Sequence, residues 1–163
     1  MLGKLARWLR ILGYDTSYHV FAEDDDLLIQ AQAEDRILLT RDVPLSRRAP
    51  DNRCLLVLHG HLDDQMAQLV NTLNISLDRD PFTRCLACNT PIIEIGQKEA
   101  ADLVPPYIQR TQTHFFKCVT CDQIYWRGTH VNRMDELLSL IRSRAESYST
   151  SIDSPSRSQP SYE

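Results

Sequence analysis

Two cysteine pairs with identical spacing constrain the fold of this chain more than any other feature of its sequence. Cys85 and Cys88 form the first C-x-x-C pair, and Cys118 and Cys121 form the second. Two such pairs can offer four thiolates in a tetrahedral array, which is the closed coordination of a structural zinc ribbon. A redox motif is the alternative, but it needs only one pair, and here the pairs come as a matched set. We therefore predict that these four residues bind zinc.

The composition limits where such a protein works and what it binds. Of the 163 residues, 42% are hydrophobic and the formal net charge is −4, so binding to nucleic acid would depend on local basic patches. No stretch approaches the roughly 20 apolar residues of a membrane span, and the amino terminus has no signal pattern. Cysteines in close pairs fit metal binding in a reducing compartment. We expect a cytoplasmic protein that does not associate with membranes.

Helix and strand patterns alternate ahead of the cysteine module. The apolar spacing predicts helices over 2–12, 27–34 and about 60–73, and the content of β-branched, aromatic and apolar residues predicts strands over 14–20, 36–42 and 54–58. Residues 43–50, which contain two prolines, are predicted as a loop. The strand at 36–42 contains an uninterrupted apolar run, Ile37 to Leu39, and is predicted to be buried on both faces. This alternation is typical of a small, doubly wound, mostly parallel α/β sheet.

Changes in composition divide the chain into four parts. A helix over 134–141 is predicted to close the zinc ribbon, and the serine-rich carboxyl end has almost no apolar residues, which is typical of disorder. The predicted parts are a first domain at 1–77, a linker at 78–84, a zinc ribbon with its closing helix at 85–142, and a disordered tail at 143–163.

Acidic side chains follow two of the predicted strands. Asp42 comes after the strand at 36–42, and Asp24 and Asp26 come after the strand at 14–20. The carboxyl ends of the strands of an open α/β sheet are where ligands bind, and carboxylates that converge there repel one another unless a cation lies among them. Local roles are an open alternative, since Asp42 can cap the turn before Pro44 and acids in a first helical turn complement the helix dipole.

Basic side chains recur along the first predicted helix. Lys4, Arg7 and Arg10 follow one another at intervals of three residues, and we call this set the cationic ridge. One interpretation is a surface that contacts the phosphates of a nucleic acid. The other is an ordinary solvated helix face.

In their order and spacing, these segments resemble the Mut-seven C-terminal RNase domain family, a PIN-like nuclease fold joined to a zinc ribbon. The resemblance rests on MLGKLARWLRILGYDT at 1–16, the acidic step at 24–28, RILLTRD at 36–42, the two cysteine pairs, and YWRGTH at 125–130. It implies a ribonuclease whose catalytic acids are Asp24, Asp26 and Asp42, with Asp24 and Asp42 as ligands of magnesium or manganese. Lys4, Arg7 and Arg41 would face the RNA backbone, and Arg127 of the ribbon would extend that track.

The family carries a strand with an aspartate before the MLGK segment, and this chain begins at Met1, inside that segment. We therefore expect a PIN-like sheet without its first strand, which leaves catalytic competence open. The leading hypothesis is a divalent-metal-dependent ribonuclease with a structural zinc ribbon that aids RNA binding. The alternative is a non-catalytic RNA-binding or adaptor protein with a degenerate PIN-like domain, and a third is a ribbon that clamps a protein partner. The resemblance implies RNA as the partner, and it leaves the protein partners unknown.

Overall fold

The leucine stripe of the amino-terminal segment lies at the centre of the fold. In the computed structural model, which describes residues 2–50, 53–126 and 130–152, helix α1 spans Gly3–Ile11. Leu5, Leu9 and Leu12 are buried in the main hydrophobic core, as the helical spacing predicts. The chain leaves the helix through Gly13, whose φ of +77° is a conformation that glycine adopts without steric cost. The helix predicted over 2–12 is confirmed.

A small parallel sheet follows α1. Helix α2 spans Asp24–Ala33 and leads into strand β1, Leu38–Thr40, and α3, Val43–Arg48, connects β1 to strand β2, Cys54–Leu56. The two strands are parallel, with Leu38 opposite Cys54 and Thr40 opposite Leu56. Helix α4, Leu62–Leu73, then packs against α1. The prediction that the strand at 36–42 is buried on both faces is wrong, because Ile37 is 47% exposed and the two leucines that follow are only half-buried.

Two local predictions in this half are also wrong. Residues 14–20 do not form a strand, because their backbone groups bond elsewhere: the Tyr14 amide donates to the carbonyl of Leu9, and the Thr16 amide donates to the side chain of Asn89. Part of the predicted loop at 43–50 is instead helix α3. Leu45 is buried there, so even this short helix contributes an apolar side chain to the interior.

The cysteine pairs belong to a separate antiparallel sheet. Strand β3, Ile92–Ile95, is followed by helices α5, Gln97–Ala100, and α6, Pro106–Thr111, and then by strands β4, Phe115–Cys118, and β5, Ile124–Trp126. The strand order is β3-β4-β5, with Ile95 opposite Phe115 and Phe115 opposite Trp126. A small second core of Ile95, Ala100, Val104 and Phe115 lies in this module.

The last helix, α7, spans His130–Ile152 and differs from the prediction in two ways. It does not close the ribbon, because Met134, Leu138 and Ile141 pack into the main core together with α1 and α4. It also continues through residues 143–152, which were predicted to be disordered. The remainder of the predicted tail, 153–163, lies outside the described residues. Within the described ranges, no helix combines the length and apolar character that a membrane crossing requires.

Candidate metal centre and acidic surface

The four cysteines of the two C-x-x-C pairs come together at one end of the antiparallel sheet. The Sγ atoms of Cys85, Cys88, Cys118 and Cys121 all lie within 4.8 Å of one another. Three of the Sγ–Sγ distances are 3.4 Å for Cys88 and Cys118, 3.5 Å for Cys85 and Cys121, and 3.6 Å for Cys88 and Cys121. A tetrahedral site with metal–sulfur bonds of 2.3 Å has sulfurs about 3.8 Å apart, whereas a disulfide needs about 2.05 Å. The spacing therefore fits a tetrahedral metal such as zinc and does not fit a disulfide.

Both cysteine pairs are held by the same backbone geometry. The amide of Asn89 donates to the carbonyl of Cys85 at 2.9 Å, and the amide of Asp122 donates to that of Cys118 at 3.0 Å. Asn89 and Asp122 have φ values of +71° and +57°, in the left-handed region that asparagine and aspartate tolerate better than most residues. The two loops are thus equivalent turns that present their sulfurs to one point, and an Asn or Asp one position after each pair was a sequence signal for this geometry.

Hydrogen bonds around the first pair favour ionised sulfur. Tyr125 donates its hydroxyl proton to Sγ of Cys85 at 3.1 Å and accepts the Leu86 amide at 3.1 Å. Burial alone would raise the pKa of Cys85, but the bonds from Tyr125 and from the Cys88 amide outweigh it and lower the pKa. Hydrogen bonding with the side chain and the backbone of Thr90 lowers the pKa of Cys88 to about 6. The lowered pKa values of Cys85 and Cys88 favour the thiolate form, which is the form in which cysteine binds metal.

Cys121 behaves in the opposite way. A hydrogen bond from the Gln123 backbone lowers its pKa, but burial and the three neighbouring cysteines raise it to about 12. The reason is that hydrogen bonds with the other three sulfurs favour the protonated thiol of Cys121, and several thiolates in one small volume would repel one another. The full set of four thiolates therefore requires a cation among them.

The three acidic residues predicted to be catalytic are arranged differently. Asp24 and Asp26 lie in the exposed first turn of α2, and Asp42 is the residue before α3. The Oδ1 atom of Asp42 accepts the amide of Leu45 at 2.7 Å, which is the capping role that the sequence left as an alternative. In the part of the chain that is described, only the four cysteines bring three or more ligand atoms within 4.8 Å of one another. The catalytic assignment of these three acids stays a prediction.

An arginine links the acidic turn to α3. The Arg48 guanidinium at the carboxyl end of α3 pairs with Asp25 and lies 3.8 Å from the Asp24 carboxylate. All three side chains are substantially exposed, so these pairs contribute little to stability. They do place the amino-terminal end of α2 beside the carboxyl end of α3. Sequence reasoning missed this contact.

The predicted RNA-contacting bases differ in how available they are. Lys4, Arg7 and Arg41 are exposed, and within the described ranges none of them forms an ion pair. Arg127 lies outside the described residues. Arg10 does not belong to an exposed cationic ridge, because it is buried at 6% exposure and bonds to backbone carbonyls. The ridge interpretation is therefore wrong for Arg10 and stays a prediction for Lys4 and Arg7.

An open groove of about 580 Å³ adjoins the acidic turn and was not predicted from the sequence. Its lining includes Tyr18, Phe21, Asp26 and Gln30, and Phe21 is 95% exposed. Tyr18 packs against the start of α1, since a methyl group at Gly3 would lie 3.3 Å from its phenol oxygen. Two large apolar residues, Val20 and Phe21, just before an acidic run were the available signal. The groove therefore combines an exposed aromatic ring with a carboxylate and an amide near the first turn of α1.

These features define a mixed α/β protein with a small parallel sheet, a separate antiparallel sheet, and four cysteines that could hold a metal such as zinc. The sequence model of the Mut7-C RNAse domain family matches residues 1–138, and the chain belongs to that family. Searches of the curated proteins and of the solved structures found no significant match. Membership in this family indicates a nuclease-type function with RNA as the substrate.

Proposed function

We propose that this protein is a divalent-metal-dependent ribonuclease that hydrolyses phosphodiester bonds of RNA, built on a PIN-like domain and a structural zinc ribbon. The observation that carries the proposal is the family match, which extends over residues 1–138 and so includes both the acidic turn and the cysteine module. The cytoplasm is the proposed location, since a reducing compartment keeps all five cysteines free for metal binding or core packing.

The chemistry of the exposed side chains supports this assignment. Asp24 and Asp42 would hold magnesium or manganese, because hard cations prefer carboxylate oxygens, and Asp26 would be the third catalytic acid. When bound, such an ion polarises the scissile phosphate and supplies hydroxide near neutral pH. Lys4 and Arg7 would neutralise neighbouring phosphates as unpaired cations. Arg41, adjacent to Asp42, would do the same on the side of the predicted acid.

The groove beside the acidic turn supports a substrate with unpaired bases. Phe21 offers a face on which a base can stack, and such stacking contributes about 1–3 kcal/mol per base in single-strand binding proteins. Asp26 lies in the lining of the same groove, so a nucleotide held there would have its backbone close to a predicted catalytic acid. RNA with a single-stranded segment is therefore the preferred test substrate.

The test of catalysis is the cleavage of end-labelled single-stranded RNA with Mn²⁺ or Mg²⁺. The wild-type protein should cut the RNA, and Asp26→Asn and Asp42→Asn should each lose the activity while remaining folded. Asp102→Asn is the matched control, because Asp102 is an exposed acid of the other module and should cleave at the wild-type rate. Activity that persists without divalent metal, or in both Asp26→Asn and Asp42→Asn, would contradict the proposed mechanism.

A non-catalytic RNA-binding or adaptor protein is the second candidate. It is favoured by the finding that Asp42 already caps α3 and that the three predicted acids do not cluster within 4.8 Å. In that case RNA would bind wild type and Asp42→Asn equally well and would never be cut. Charge reversal by Lys4→Glu with Arg7→Glu should weaken RNA binding under either hypothesis, and unchanged binding would remove the case for this surface.

The zinc ribbon is tested separately by metal analysis. Protein purified without chelator should contain one zinc per chain, and Cys88→Ser should lose the metal and unfold the antiparallel module, since a small core contributes little without it. Cys54→Ser is the control, because Cys54 begins β2 and is not part of the four-sulfur cluster. Absence of zinc from the wild-type protein would refute the ribbon assignment.

A further inference from the structure

A buried arginine joins the first helix to the metal loop. Arg10 lies near the carboxyl end of α1 and donates from Nη1 to the carbonyls of Leu86 and Ala87, at 3.0 Å and 2.9 Å. These are the two residues between Cys85 and Cys88. Its Nε atom donates to the carbonyl of Thr16 at 2.8 Å. The guanidinium therefore holds the backbone of the first C-x-x-C pair from inside the protein.

Burying a cation is costly unless opposite charge or strong acceptors surround it. Burial lowers the pKa of Arg10, whereas charge on Cys85 and Cys88 raises it, so the two sulfurs favour the charged guanidinium. A divalent metal with four thiolates has a net charge of about −2. Arg10 is thus a positive charge placed next to a negative centre, in addition to its three bonds to carbonyls.

A second set of contacts fixes the same loop from the amino-terminal half. The amide of Thr16 donates to Oδ1 of Asn89 at 3.0 Å, and Nδ2 of Asn89 donates to Asp15 at 2.7 Å. Asp15 is also bonded to Arg36 at 2.8 Å. Asn89 is the left-handed residue that closes the first cysteine turn, so both the turn and its interior are held by residues 10–16.

We propose that Arg10 is a positioning residue for the metal centre, acting as its counter-cation and as a clamp on the first cysteine loop, so that metal binding and the packing of α1 stabilise each other. The proposal rests on the metal assignment made above and goes beyond it, since it couples two parts of the fold. Coupling of this kind is reciprocal: if Arg10 increases the affinity for the metal, bound metal stabilises the packing of the helix that carries Arg10 by the same free energy.

The first experiment measures the rate at which zinc passes from the intact protein to a chromogenic chelator. Arg10→Met should release zinc about 10 to 100 times faster than wild type, the range observed when groups around metal ligands are removed. Arg10→Lys keeps the positive charge but not the several N–H donors of the guanidinium, and its rate of zinc release should lie between those of wild type and Arg10→Met. Arg47→Met is the matched control, an exposed arginine of α3 outside the cysteine module, and should release zinc at the wild-type rate.

The second experiment needs no variant. Amide hydrogen exchange over residues 6–11 should speed up when zinc is removed from the wild-type protein, because α1 loses the partner of Arg10. A Co²⁺-substituted sample adds a spectroscopic check, since Arg10→Lys should shift the sulfur-to-cobalt charge-transfer band and Arg47→Met should leave it in place.

The outcomes separate this inference from the metal assignment. Wild-type protein without zinc would refute the metal site itself. Zinc present, but released at equal rates by Arg10→Met and Arg47→Met, would overturn the role of Arg10. If Arg10→Met does not fold, the comparison of Arg10→Lys with wild type decides the question, and equal release rates overturn the proposal. Unchanged exchange in α1 after zinc removal would overturn the reciprocal part.

Discussion

The cap at the start of α3 gives a prediction that separates structural from catalytic roles of Asp42. Its Oδ1 atom accepts the Leu45 amide at 2.7 Å, and its own amide donates to Oγ1 of Thr40 at 3.0 Å. Asparagine offers an oxygen in the same place and is as good a cap as aspartate, whereas alanine offers none. We therefore expect Asp42→Asn to preserve the helix and Asp42→Ala to weaken it.

The expected size of the effect follows from the cap and from what it holds. Loss of a side-chain cap costs about 1 kcal/mol of folding free energy. The side chain of Leu45, whose amide donates to Asp42, is 3% exposed, so loosening the first turn of α3 also loosens a buried side chain. For a chain of this size, about 1 kcal/mol corresponds to a lowering of Tm by about 2–4 °C. Asp42→Asn should stay within about 0.5 kcal/mol of wild type.

The assay is urea unfolding at neutral pH, followed by far-ultraviolet circular dichroism and repeated as a thermal melt. Destabilisation of Asp42→Asn as large as that of Asp42→Ala would refute the capping argument, because it would mean that the charge and not the hydrogen-bond acceptor matters for folding. The stabilities of Asp42→Asn and Asp42→Ala also decide how the cleavage assay is interpreted. A stable Asp42→Asn that has lost RNA cleavage assigns the carboxylate a chemical role, whereas an active one assigns it to the cap.

Three further predictions concern the packing of the two modules. Ile141→Ala should lower the free energy of unfolding in urea by about 2–5 kcal/mol, since Ile141 is 0% exposed. Leu140→Ala, at an exposed neighbouring position, should lower it much less, and equal losses would show that α7 does not pack as described. Gly13→Ala should lower Tm, because the new methyl would lie 2.7 Å from Oγ1 of Thr83 at a φ of +77°, and an unchanged Tm would contradict the close approach. Burial raises the pKa of Tyr125 above its ordinary value of 10.0, so the stability that the neutral phenol contributes is present below pH 10 and is lost as the pH rises further. Tyr125→Phe should reduce this loss of stability at alkaline pH in thermal melts, and an unchanged loss would contradict the burial of the hydroxyl.

Local signals in the sequence predicted the elements well where short-range chemistry decides the structure. Leucine spacing located α1, the two C-x-x-C pairs located the four-sulfur cluster, and apolar runs located both parallel strands within a few residues. The role of Asp42 was undecided because one residue type serves both as a cap and as a metal ligand. Only the position of the Leu45 amide distinguishes these roles, and the sequence does not contain it.

The failures have long-range causes. Each residue turns a helix by about 100°, so Arg10, six residues after Lys4, points about 120° away from it. Arg10 therefore reaches the buried side of α1, although its regular spacing in the sequence suggested one exposed face. The segment 14–20 has strand-like composition, but its backbone bonds to α1 and to Asn89, far along the chain. Beyond Ser143 the composition favours disorder, yet Ala145 is buried and Arg144 pairs with Asp63 at 2.7 Å, and these contacts keep α7 helical.

The packing of α7 on α4 has a consequence for biosynthesis. More than fifty residues separate the end of α4 at Leu73 from the start of α7 at His130, and the whole cysteine module lies between them. During translation the apolar side of α4 therefore emerges from the ribosome well before its partner exists. Until synthesis reaches the last helix, that nascent surface stays uncovered, and uncovered apolar surface is prone to aggregation.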